Sequence, residues 1–157
     1  MKVDVPKGGD PVLVMEREFD APRELVWAAL TDPAQVMRWY GGQGFENPVC
    51  EMDVRPGGRW RHVMRTPDGA EHPLEYVFLE VKPPERLVWR TAGPAEGQGG
   101  PHDNTMTVTL TAAGERTRWR LVVEFRSHAD REAALGMGFT RVLGEGCDKL
   151  QGLVKRR

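Results

Sequence analysis

Ser127–Val154, SHADREAALGMGFTRVLGEGCDKLQGLV, is the stretch whose reading decides the fold. Phe139, Leu143, Cys147, Leu150 and Val154 recur at spacings of four, four, three and four, which lays one apolar stripe along a 3.6-residue helix. Ser127 is placed to cap its start, and Asp130 and Glu132 fall in the first turns. Lys155, Arg156 and Arg157 stand at its end, so the charges match the helix dipole at both termini. The same stretch carries Gly136, Gly138, Gly144, Gly146 and Gly152, each costing a helix roughly 1 kcal/mol relative to alanine. Such a helix is not expected to stand alone, and the chain before it supplies the support.

Pro11 to Phe19 reads as a first strand. Asp20-Ala21-Pro22 opens a short helix through Leu30, with Pro22 in the first turn and Val26, Trp27 and Leu30 on the buried face. Thr31-Asp32-Pro33 repeats the device, and the second helix ends at Trp39-Tyr40 against Gly41-Gly42. Alternation then predicts strands over Val49 to Val54, Arg59 to Arg65, Leu74 to Val81, Leu87 to Thr91, Thr105 to Thr111 and Thr117 to Phe125. Arg55-Pro56-Gly57-Gly58, Pro67-Asp68-Gly69 and Ala113-Gly114 are turns, and Pro83-Pro84 breaks a strand. Leu74 to Val81 is apolar on both faces. Residues 93–104 have no apolar content and read as a mobile loop, and residues 1–10 as a flexible leader. Consecutive hairpins imply an antiparallel sheet. A sheet apolar mainly on one face, with a striped closing helix, predicts a two-layer α+β architecture over one domain, 11–157.

Composition narrows the function. With 22 basic and 23 acidic residues and a formal net charge of −1, nothing points to nucleic acid or an anionic membrane surface. The arginine rows at 59, 61 and 65 and at 116, 118 and 120 read as solvated strand faces. No apolar run reaches membrane-spanning length, which predicts no membrane insertion, and residues 1–10 lack the apolar core of a signal peptide. Cys50 and Cys147 sit in apolar patterns and read as free buried thiols, which fits the cytoplasm. His62, His72, His102 and His128 lack ligand spacing, so no metal is expected. No nucleophile motif, phosphate-binding loop or carboxylate pair is present, and no cofactor is expected.

Phe19-Asp20-Ala21-Pro22 with Val26-Trp27, Thr31-Asp32-Pro33 and Trp39 form one run of landmarks. Asp53-Val54-Arg55-Pro56-Gly57-Gly58-Arg59-Trp60, Pro67-Asp68-Gly69, Glu80-Val81 and Pro83-Pro84-Glu85-Arg86-Leu87 continue it, and Thr117 and Asp148-Lys149-Leu150 close it. In these residues the chain resembles the START/Bet v superfamily, and more narrowly the family of the activator of the heat-shock-protein-90 ATPase. The resemblance spans roughly residues 12–153. It implies the helix-grip fold, a curved antiparallel sheet of about 6–7 strands around the C-terminal helix with two short helices after the first strand, enclosing a cavity. Two positions depart from the family pattern: Tyr76 stands where a glycine is usual, and Val142-Leu143 where Gly-Trp is frequent. Both fall where the cavity wall is expected.

Met52, Trp60, His62, Met64, Tyr76, Phe78, Trp89, Met106, Val108, Trp119, Leu121, Phe139 and Leu143 are assigned to the inner face. Solid core is the plain reading of any one of them. Together with a glycine-rich gripping helix they predict a cavity, apolar with few polar groups. His62 and Tyr76 are the polar-capable members and the weak catalytic candidates. Three functions follow. The first is carriage or sensing of a small lipophilic molecule. The second is cyclase- or aromatase-like chemistry, known among proteins of this fold, with His62 as acid/base and Tyr76 as oxyanion donor. The third is chaperone association, which in the namesake also draws on a separate domain outside these residues and is therefore not expected to carry over. Enzyme activity is the lesser expectation, and a homodimer is left open.

Overall fold

Hairpin follows hairpin through most of the chain, and the computed structural model, which describes residues 1–92 and 104–155, arranges them in one antiparallel sheet. Its strands are β1 (Lys2–Asp4), β2 (Val12–Phe19), β3 (Glu46–Met52), β4 (Arg59–Arg65), β5 (Glu71–Lys82), β6 (Arg86–Thr91), β7 (Asn104–Ala113) and β8 (Arg116–Phe125). They lie in the order β1-β2-β8-β7-β6-β5-β4-β3, so β2 returns beside the last strand. Helices α1 (Arg23–Thr31) and α2 (Pro33–Trp39) follow β2, and α3 (His128–Gly136) and α4 (Phe139–Val154) close the chain. This is the expected helix-grip α+β fold with one strand more than predicted.

The extra strand comes from the residues read as a leader. Lys2, Val3 and Asp4 pair with Glu16, Met15 and Val14. Residues 5–10 are polar enough to suggest a free tail, yet α3 holds them. His128 Nε2 lies 2.8 Å from the Gly9 carbonyl, and the buried Arg131 guanidinium donates to the carbonyls of Pro6 and Val12.

Ser127 caps as expected, its hydroxyl accepting the backbone N–H of Asp130 at 3.1 Å. The helix it starts is not continuous. Gly138 adopts φ 85°, a left-handed conformation that glycine enters without the Cβ clash, and this separates α3 from α4. The apolar stripe survives on α4, with Cys147, Leu150 and Val154 buried and Phe139 and Leu143 half-buried. Asp32 caps α2 through Ala34, with Pro33 at the first helical position. In α1 the buried residues are Val26, Ala29 and Leu30, whereas Trp27 is half-buried.

Cross-strand register defines the inner face. Met52, Trp60 and Tyr76 are successive partners across β3, β4 and β5. Phe78, Trp89, Met106, Val123 and Leu13 form the next row, and Leu87, Val108, Leu121 and Met15 another. The two-faced apolarity of β5 has a local cause. A register shift between Phe78 and Glu80 inserts Leu79, which is exposed, and the parity reverses beyond it. Tyr76 and Phe78 point inward before the bulge, and Val81 pairs with the buried Leu87 and packs on the core after it. On the outer face, Arg59–Glu75, Arg61–Glu51 and Arg65 with Glu46 and Glu71 form cross-strand ion pairs, as solvated strand faces do. The expected loop at 93–104 lies outside the described residues except for Asn104, which opens β7, and so do Arg156 and Arg157.

Candidate functional site

The end of α2 and the inner faces of β4, β5 and β6 meet around Trp60. Its ring centroid lies 4.7 Å from Tyr76, 5.7 Å from Tyr40 and from Trp89, 5.9 Å from His62 and 6.1 Å from Phe78, the last nearly parallel. Trp60 is 2% exposed. The sequence places these rings because β4 alternates Trp60 and His62 inward and β5 answers with Tyr76 and Phe78. Tyr40 is carried in from the other side by the stop of α2, with its backbone N–H on the Val36 carbonyl.

His62 sits among these rings as a neutral base. Trp60 Nε1 donates to its Nδ1 at 3.2 Å, which leaves the proton on Nε2, and Nε2 donates to Asn47 Oδ1 at 2.7 Å. Asn47 is fixed in turn, because its amide donates to the carbonyls of Met37 and Tyr40 at 2.9 and 3.0 Å. Burial lowers the imidazole pKa to about 4. Both ring nitrogens are therefore spent within the protein, an arrangement that suits a structural brace between β4 and the α2–β3 connection.

Tyr40 and Tyr76 meet hydroxyl to hydroxyl at 2.8 Å. Burial raises the pKa of both phenols, so both keep their protons through the physiological range. One hydroxyl donates and the other accepts, so only one of the two phenol protons is used in this bond. Among the described residues no further acceptor lies within bonding distance of either oxygen.

The connection that follows Tyr40 is fastened to α4. Gly41 has φ 87° and Phe45 lies over it, leaving no room for a side chain. Glu145 Oε1 accepts the Gln43 N–H at 2.9 Å, and Lys149 Nζ donates to the Gly42 carbonyl at 2.9 Å. Gly146 lets the two backbones approach: a Cβ there would stand 3.1 Å from the Trp39 oxygen and 3.2 Å from that of Gly41. The inward glycine of α4 thus receives the α2–β3 connection, where sequence reasoning expected it to leave open volume.

The thirteen expected lining residues do share the inner side, but not one site. Trp60, His62, Tyr76, Phe78 and Trp89 form the aromatic cluster, with Met52 half-buried opposite Trp60. Met106, Val108 and Leu121 belong to the adjoining core rows, and Trp119 packs edge-on against Phe19 at 6.1 Å. Phe139 meets Phe125 at 5.7 Å, Leu143 is half-buried on α4, and Met64 is half-buried opposite His72. Sequence reasoning missed Tyr40, whose apparent role was to end a helix, and Asn47, which carried no pattern at all. It also missed Arg17, which alternation from Leu13 and Met15 places on the inner side. Arg17 reaches Asp148 of α4 at 3.0 Å and lines a polar groove of about 520 Å³ with Lys2, Glu16, Glu18, Arg116 and Gly144.

Cys50 is half-buried and Cys147 buried, both free; burial pushes their thiols up to about 11 and about 12, away from thiolate chemistry. No helix among the described residues is long and apolar enough to cross a membrane.

A sheet that grips a helix over an aromatic inner layer defines an SRPBCC-type α+β protein. The chain belongs to the family of activator of Hsp90 ATPase homolog 1-like proteins, whose profile matches residues 20–155. Among solved structures, a protein from Nitrosomonas europaea is 28% identical, with 90% of this chain and 92% of that one covered and a TM-score of 0.82. A protein from Mycobacterium smegmatis is 22% identical over 100% and 98%, with a TM-score of 0.87. An AHSA1-like protein from Aeromonas hydrophila is 21% identical over 92% and 97%, with a TM-score of 0.70. No curated protein matches this chain.

Proposed function

We propose that this protein binds a small lipophilic molecule between the sheet and α4, as a carrier or sensor in the cytoplasm. The observation that carries the reading is the aromatic cluster around Trp60, whose polar atoms belong to neutral side chains. Met52, half-buried opposite Trp60, extends the apolar surface, and Phe139 and Leu143 are half-buried apolar residues of α4. Pockets for small molecules are built this way, apolar with a few fixed polar groups. The resemblance of the family to ligand-binding folds supports the same reading, and the unreactive thiols suit a reducing compartment. An acid/base role for His62 has less support, because both ring nitrogens already have partners.

Titration with the neutral fluorophore N-phenyl-1-naphthylamine tests the reading, with energy transfer from tryptophan as the signal. Saturable transfer at one probe per chain is the expected result. A linear, unsaturable response would mean that no interior site exists and that the protein acts through its surface.

A further inference from the structure

We infer that the Tyr76 hydroxyl is a ligand anchor now occupied by the protein's own Tyr40, and that the cognate ligand presents a neutral hydroxyaryl group in its place. The inference rests on the proposed function and names the chemical class of its ligand. Tyr40 is itself a phenol. Its ring lies 4.3 Å from the His62 ring and edge-on to Trp60 at 5.7 Å, and its hydroxyl meets Tyr76 at 2.8 Å. What this corner of the interior accepts is therefore visible: a flat aromatic face carrying one uncharged oxygen.

Three features make Tyr40 exchangeable. First, it is half-buried, whereas Trp60, His62 and Tyr76 behind it are buried, so it stands on the outer side of the cluster. Second, its backbone is held independently of its side chain, by the Asn47 amide on its carbonyl and by the Val36 carbonyl on its N–H. Rotation of the phenol leaves α2 intact. Third, the glycine turn beside it is fastened to α4 by two exchangeable polar contacts, Glu145 to Gln43 and Lys149 to Gly42. Releasing them gives the phenol room to swing outward. Tyr76 then holds a hydroxyl that donates to, or accepts from, an incoming oxygen.

Charge selects the same class. The groups facing the phenol pair are the Trp60 indole, bonded to His62, the His62 imidazole, neutral with both nitrogens engaged, and the Cys50 thiol, which burial keeps neutral. A carboxylate placed there would lose its hydration without gaining a counter-ion, a larger cost than burying a phenol. An aromatic hydrocarbon would fit the rings and leave the Tyr76 hydroxyl unpaired.

The test is an NMR titration reading the Trp60 indole N–H with 2-naphthol, naphthalene and 2-naphthoate. Wild-type protein is expected to prefer 2-naphthol to naphthalene by about fivefold to tenfold, the worth of one hydrogen bond, and to bind 2-naphthoate weakest. Tyr76→Phe is expected to abolish the preference while keeping naphthalene binding. Tyr40→Ala is expected to tighten 2-naphthol by about tenfold, since no internal phenol has to be displaced. If Tyr40→Ala fails to fold, the double variant Glu145→Ala, Lys149→Met serves instead, and association of 2-naphthol is expected to quicken by about tenfold. Equal affinity for 2-naphthol and naphthalene overturns the anchor and leaves the ligand-binding reading standing. Unchanged 2-naphthol binding in Tyr40→Ala, or an unchanged on-rate in the double variant, overturns the exchange. Failure of every probe to bind any folded variant overturns both the inference and the proposed function.

Discussion

His62 shows what single residues contribute. In the sequence it was one of two polar side chains expected among apolar ones, and its alternation with Trp60 and Met64 gave its direction. Its role depends on Asn47, fifteen residues away in sequence and brought to 2.7 Å by the bulged pairing of β3 with β4. No periodic signal marks such a partner, because an asparagine in a short edge strand resembles any other loop residue. The chemistry yields a pH prediction. A folded-state pKa near 4, against about 6.5 when unfolded, means the unfolded chain binds the extra proton first. Stability is therefore full above pH 6.5 and falls as the pH drops toward 4. Between pH 7 and pH 5 this one group removes about 2 kcal/mol of unfolding free energy. Urea unfolding at the two pH values reads it, with His62→Gln as the reference. That variant is less stable throughout but loses this part of the pH slope, and an unaltered slope would contradict the assignment.

At the scale of elements, strands and caps were legible and interruptions were not. β4 spans the expected residues and alternates in burial from Arg59 to His62, and Ser127 and Asp32 cap the helices they were expected to cap. The break between α3 and α4 was not visible, since five glycines marked the region as weak without saying which of them turns left-handed. The bulge at Leu79 was legible only as a contradiction, a strand apolar on both sides. β1 escaped because its three residues owe their place to pairing with β2, while side chains of α3 hold the segment that follows them. The glycines of α4 separate cleanly by environment. Gly152 is exposed with nothing within 4 Å of an added Cβ, so Gly152→Ala is expected to stabilise by about 0.5–1 kcal/mol. Gly146 faces the backbone oxygens of Trp39 and Gly41 at close range, and Gly146→Ala is expected to destabilise by about 1–2 kcal/mol despite the same gain in helix propensity. Thermal unfolding of the two variants side by side decides it; equal shifts would remove the close approach from the account.

For the whole molecule, the grip of a sheet on a C-terminal helix was readable from the order of elements and from the run of turn and cap residues. The aromatic cluster was readable in part, because register brings Trp60, Tyr76, Phe78 and Trp89 together, whereas Tyr40 arrives from a helix end. The function depends on whether that interior takes a guest. Native mass spectrometry of the purified protein, followed by organic extraction and mass analysis of what is released, tests this most directly. The account predicts one small aromatic molecule per chain, lost on extraction and regained on its return. A bare chain mass, together with no tryptophan response to any neutral aromatic probe, would contradict it.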